Sequence, residues 1–278
     1  MTEEKDELFE KSRMTLGEHL EELRRRLIRA LVAVGATFLV AWMFHEDIAA
    51  LVLRPLHQSV AMLNEYKAEL AAKHPDEPWL ATPISALPRG DAGASGFFFY
   101  MKVCFYFSLA VAGPYVLWEM WRFIAAGLYL KERKLVYRSF PFSALLFVLG
   151  ILFGYFAFVP YGLYFIVRLS IRQVEYYPEV GMYLTFLTGL SLALGVVFQL
   201  PIVMFALGRL GLVDAATFSK YRGHFVVIAL IIAAILTPPD PFTQLMMAVP
   251  MVVLYEVGIH MARVARRRSV PDSVEAPS

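Results

Sequence analysis

The sequence holds a single cysteine, Cys104, so no disulfide closes within the chain and no thiolate cluster can hold a metal. Charge is scarce too. Asp, Glu, Lys and Arg make up 18% of 278 residues, and the formal net charge is +2. A nucleic-acid binder needs a concentrated basic face, which that balance does not supply. Catalytic signatures are also missing: His45-Glu46 lacks the second histidine of a zinc helix, and no G-x-S-x-G elbow occurs. Ser191 with His224 or His260 is the nearest thing to a hydrolytic set, and nothing in the spacing joins them. Met1 to Lys11 is acidic, without a short apolar core and cleavage site. No removable secretory signal is expected there, and the first spanning helix is the expected targeting element. No internal or inverted repeat of the secondary-transporter kind is evident.

What the sequence does have is apolar length. Hydrophobic residues are 58% of the chain, mean hydropathy is +0.56, and long apolar runs recur, which indicates an all-α polytopic membrane protein. Six spans are expected, at about Leu27–Phe44, Phe97–Phe123, Phe140–Val167, Met182–Leu207, Phe225–Leu236 and Phe242–Met261. His45 to Ser95 reads as a long polar external loop whose middle, Val60 to Ala72, can form a short amphipathic helix. The fifth run is only 12 residues, about 18 Å of helix against a hydrocarbon core of about 30 Å. Such a helix must thin the bilayer or be sheltered by its neighbours. Pro238 and Pro239 cannot continue a helix, so Thr237-Pro-Pro-Asp240 must turn the chain tightly before the sixth span. Asp240 is placed to cap that span, and Glu256, near its inner end, to reach the interface or an arginine.

Lys and Arg set the orientation. With the N-terminus inside, 19 of the 26 basic residues fall on the inner side, so both termini are expected in the cytoplasm. Residues 1–268 form one membrane domain, and the small polar tail 269–278 is expected to be disordered. Pro114, Pro160, Pro201 and Pro250 lie within spans, and bends there imply a curved, concave bundle. Gly150-x-x-x-Gly154 permits a close helix contact, which ordinary packing also explains.

Thr15-Leu-Gly-Glu-His-Leu-Glu-Glu-Leu-Arg-Arg-Arg-Leu27 carries the most information. Thr15 and Glu18 form a capping box, and Leu16, Leu20, Leu23 and Leu27 make one stripe. Arg24, Arg25, Arg26 and Arg29 suit a cytoplasmic flank, whereas Glu18, Glu21 and Glu22 do not. The acids either support an exposed helix through the i,i+4 pairs Glu21–Arg25 and Glu22–Arg26, or receive a basic partner. Glu132, in a basic stretch on the same side, offers a second acceptor; a carboxylate suits arginine better than lysine because guanidinium binds at two points. At membrane depth Gln199, Thr237 and Gln244 must meet other helices, either of this chain or of a partner.

His19-Leu-Glu-Glu-Leu-Arg-Arg-Arg-Leu27, Arg54-Pro55-Leu56, Trp121-Arg-Phe-Ile124, Leu128-Tyr129, Glu132-Arg133 and Leu236-Thr-Pro-Pro-Asp240, followed by Gln244, Pro250 and Tyr255-Glu256, together resemble TatC, the signal-receptor subunit of the twin-arginine protein translocase. The resemblance covers nearly the whole chain in order. It implies that Glu22 and Glu132 bind the arginine pair of a signal peptide, with Arg24 and Phe123 shaping that site. It further implies a sensitive proline at Pro55 and docking of single-span TatA and TatB partners near Thr237, Gln244 and Gln199. Gln199 stands where many relatives have glutamate, and Ala126 where some have proline. The expected protein is then a receptor of the bacterial inner membrane, self-associating in a multimeric complex. It would engage folded precursors, use the proton-motive force and need no cofactor. A small-solute or ion transporter using Gln199, Asp240 and Glu256 is the alternative, and a scaffold without receptor function the third reading.

Overall fold

The computed structural model describes residues 16–86, 95–128, 130–172, 176, 178–237 and 240–267, and every regular element among them is helical. In order they are α1 (Leu16–Met43), α2 (His45–Lys73), a 3₁₀ turn (Pro78–Ala81), α3 (Ser95–Ala126), α4 (Leu130–Phe153), a π turn (Gly154–Phe158), α5 (Val159–Ser170), α6 (Val180–Val197), α7 (Leu200–Arg209), α8 (Ala215–Lys220), α9 (Arg222–Leu236) and α10 (Pro241–Arg267). Thr15, Tyr129, Pro238, Pro239 and the tail from 268 lie outside the described residues, as do the side chains of Glu132, Arg266 and Arg267.

Among the described residues, five segments are long and apolar enough to cross a membrane: Gly17–Met43, Gly96–Ala126, Arg133–Ser170, Val180–Arg209 and Pro241–Val264. The sixth apolar helix, Arg222–Leu236, is shorter. α6 is the central helix: Leu184, Leu187, Leu190 and Leu194 are buried along it, whereas α1 is exposed over most of its length. Around it, Leu184, Leu187, Leu190 and Leu194 pack with Phe158 and Val159, with Val52 and Leu56 of α2, and with Met247 and Met251 of α10. Lipid gives no hydrophobic drive between helices, so close backbone approach matters more here than in a soluble core. A Cβ on Gly150 would lie 2.6 Å from the Leu194 carbonyl oxygen, and one on Gly154 2.8 Å from the Cα of Ser191. The G-x-x-x-G pair is thus used within the chain, to seat the α4 segment on α6.

Residues 45–95 depart from the expected loop. A helix of 29 residues fills most of the segment, starting at His45 rather than Val60. Ile48, Val52, Leu56, Ser59, Leu63 and Lys67 form its buried stripe at helical spacing. Pro55 lies inside this helix, and its missing N–H leaves the Leu51 carbonyl without a helical donor. The Tyr155 hydroxyl supplies that donor at 2.6 Å, and Tyr183 donates to the next carbonyl, Val52, at 2.6 Å. The chain then folds back on α2: Asn64 exchanges two hydrogen bonds with Ile84, and the Lys67 ammonium donates to the Thr82 carbonyl at 2.6 Å.

Two of the four expected proline positions coincide with breaks in the α-helical ladder inside continuous spans. Pro160 follows the π turn Gly154–Phe158, and Pro201 follows the Phe198–Gln199 turn, while Pro114 and Pro250 lie inside α3 and α10. A further proline, Pro141, lies inside α4.

Candidate functional site

α1 is organised opposite to a water-soluble helix. Leu20, Leu23 and Leu27 are exposed, while Glu22 and Arg26 turn inward against α3. Glu22–Arg26 is indeed an i,i+4 pair, but it belongs to a buried contact rather than to a solvated face. The Arg26 guanidinium donates to Glu22 Oε1 through Nε at 2.7 Å and again through Nη2. Its third nitrogen, Nη1, donates to Glu119 Oε2 of α3 at 2.9 Å. Glu119 is 2% exposed. It also accepts from the Tyr115 hydroxyl at 3.0 Å and lies 3.8 Å from Arg122. One guanidinium therefore bridges two carboxylates on different helices, with 12% of the Glu22 side chain left exposed. Arg24 points out and pairs with Glu21 at 3.5 Å, and Arg25 approaches Glu22 Oε2 only to 3.9 Å.

Phe123, near the end of α3, stacks on His19 of α1 with ring centroids 4.4 Å apart. That contact fixes the α1 entry turn over the α3 end. Arg133 then bends back from α4 and donates to the Leu128 and Ala126 carbonyls, each at 3.1 Å, closing the α3 C-terminus. Glu132 is its neighbour in the first turn of α4. Glu22, Arg24, Phe123 and the Glu132 backbone thus gather at one end of α1, α3 and α4. Sequence reasoning missed Glu119 and Tyr115. The readable signal was an acid inside an apolar run, with Tyr115 and Arg122 at helical spacing.

The other polar positions are engaged within the chain. Gln199 is 5% exposed and sits between α6 and α7. Its own N–H bonds the Val196 carbonyl at 2.9 Å, and its side-chain amide takes the Gly195 carbonyl that a regular helix would have given that N–H. The same amide donates to the Ser143 carbonyl at 3.1 Å. Ser143 Oγ donates to Gln199 Oε1 and accepts from the Trp121 indole at 2.8 Å. Gln199 therefore locks α3, α4 and α7 together and does not lie on an outer face. Thr237 is buried and donates to the Ala233 carbonyl at 2.9 Å, while the Gln244 amide reaches the Leu230 carbonyl at 3.0 Å and ties α10 to α9. Asp240 caps α10, accepting from the Thr243 N–H at 2.8 Å, and Glu256 pairs with Arg222 at 2.8 Å. Gln199, Asp240 and Glu256 thus have separate partners within the chain. Ser191 Oγ is buried without a hydrogen-bond partner, so no histidine activates it.

The chain is similar to known proteins in both sequence and fold. The family model described as Sec-independent protein translocase protein (TatC) matches residues 18–250. The chain is 35% identical over 267 residues to the Sec-independent protein translocase protein TatC of Desulforapulum autotrophicum, covering 96% of this chain and 91% of that protein. It is 33% identical over 250 residues to the protein of the same name from Escherichia coli strain K12, covering 88% and 86%. The crystal structure of a twin-arginine translocase receptor, TatC, superposes with a TM-score of 0.71 at 29% identity, covering 89% of this chain and 99% of that one.

Proposed function

The chain belongs to the TatC family of Sec-independent protein translocase components, and from that membership we propose that the end gathering Glu22, Phe123 and Glu132 receives the arginine pair of a signal peptide on a folded precursor. As a family member it is a multi-pass component of a translocase and not an enzyme. The observation that carries the receptor reading is Glu22. It is a carboxylate recessed at the rim of the α1–α3 contact, already binding a guanidinium through two nitrogens. Its Oε2 is left toward the rim, where only Arg25 approaches, and a carboxylate suits a planar guanidinium better than an ammonium. The rim faces the cytoplasm in this reading, which the asymmetry of Lys and Arg supports.

Partner helices of the TatA and TatB type dock on the apolar rows of α9 and α10, where Ile231, Ile235, Leu245 and Val249 are exposed. Thr237 and Gln244 hold those two helices in position, and Gln199 is left out because its amide is spent inside the bundle. Copies of the chain associate in the assembled receptor, and the proton-motive force drives the passage. Site-specific photocrosslinkers at positions 22 and 132 test the receptor reading, using membranes and a labelled precursor. The expected adducts form with an Arg-Arg signal and disappear with Lys-Lys. Equal capture of both signals overturns it.

A further inference from the structure

Glu119 and Arg26 are the ionic feature that the receptor reading leaves unused. Arg26 is 13% exposed in its side chain, and the acid it reaches across to is almost fully enclosed. Enclosing a carboxylate near the bilayer is costly unless it is paired and hydrogen-bonded. Glu119 meets that need through Arg26, Tyr115 and Arg122. Glu22 is held less completely. Both of its bonds from Arg26 fall on Oε1, and Oε2 has only the exposed Arg25 at 3.9 Å.

Resting on the proposed receptor role of Glu22, we infer that Arg26 is an internal stand-in for the signal's arginine, and that Glu119 holds it while Glu22 is handed over, which sets the preference for arginine over lysine. The exchange follows from the bond inventory. An incoming guanidinium approaches Glu22 from the Oε2 side. Arg26 turns its Nε–Nη2 edge away and keeps Nη1 on Glu119, so no charge is stranded. The arriving group must replace two charge-assisted bonds with two. A guanidinium does this from one rigid planar edge; a lysine ammonium, a compact and strongly hydrated point charge on a flexible stem, gives up more hydration and freedom to do so. Without Arg26 on Glu22 the ammonium would meet an unoccupied carboxylate, and the distinction would shrink. Arg26 and Glu119 are therefore specificity-setting residues that need not touch the signal.

The test uses the full chain in nanodiscs and two fluorescent peptides, one with an adjacent arginine pair before an apolar stretch and one with lysines in its place. Arg26→Lys keeps the charge and the fold but offers Glu22 a single point. Arg26→Gln with Glu119→Gln removes both charges together. Each is expected to tighten Lys-Lys binding and cut the Arg-Arg to Lys-Lys affinity ratio about tenfold, the scale of one lost charge-assisted bond. Glu119→Gln alone frees Arg26 to settle wholly on Glu22, and both peptides should bind several-fold more weakly. A ratio unchanged in Arg26→Lys and in the double variant, with Glu22→Gln still abolishing Arg-Arg binding, overturns the inference and leaves the receptor reading intact. Wild-type Arg-Arg binding by Glu22→Gln overturns both.

Discussion

At the scale of single residues, two polar contacts answer for backbone groups that prolines and helix breaks would otherwise leave open. Gln199 occupies the Gly195 carbonyl and gives the Trp121–Ser143 chain its end point. Gln199→Leu keeps the volume roughly and strands those groups in an apolar setting, at a cost of about 1–3 kcal/mol. The thermal unfolding midpoint in detergent, followed by tryptophan fluorescence, should fall accordingly. Tyr155→Phe removes the hydroxyl that donates to the Leu51 carbonyl and should cost about 1 kcal/mol. Pro55→Ala restores a helical N–H to that same carbonyl, so the double variant should lose less than the sum of the two. A cycle in which the losses simply add would show that Tyr155 does not compensate for Pro55. The polar character of Gln199 was legible in the sequence, but its partner was not. A lone amide in an apolar run carries no mark of whether a helix of the same chain or of another will satisfy it. Glu119 was passed over for a related reason: its partner Arg26 lies 93 positions earlier, beyond the reach of any helical spacing.

At the scale of elements, the apolar runs gave five spans and a short sixth, and the structure differs mainly in how far the helices extend. α2 was obscured because its exposed arc is charged and Pro55 reads as a stop. The 3.6-residue stripe from Ile48 to Lys67 was nevertheless present in the sequence. Membrane logic also inverted α1, whose leucine stripe faces outward and whose ion pair faces in. The α4–α6 crossing depends on two missing side chains. Gly150→Val places branched carbons against the Leu194 backbone, and the chain should lose at least 2 kcal/mol or fail to give a monodisperse peak on size exclusion. Gly189 has open space around a built Cβ, so Gly189→Ala is the matched control and should behave as wild type. α9 is 15 residues, about 22 Å, well under the hydrocarbon thickness of about 30 Å. Reconstituted protein should accordingly be more resistant to heat in bilayers with 14-carbon chains than with 22-carbon chains, and the reverse order would show that α9 does not sense thickness.

At the scale of the whole molecule, the proposed orientation rests on a charge count and is directly measurable. Cys104 is buried and donates to the Ala41 carbonyl, so Cys104→Ala gives a background with no native thiol. In that background Arg24→Cys should react with an impermeant maleimide only from the cytoplasmic side, and Trp79→Cys only from the opposite side. The same basic residues bear on how a positively charged ligand could be welcomed at a rim crowded with cations. Arg26 is divided between two acids, and Arg222 faces Glu256. Cations neutralised in place still satisfy the topogenic rule when the chain inserts, yet once folded they project little field outward. A tally of lysines and arginines therefore overstates the repulsion an approaching basic segment meets, and the protein can obey the one requirement without defeating the other.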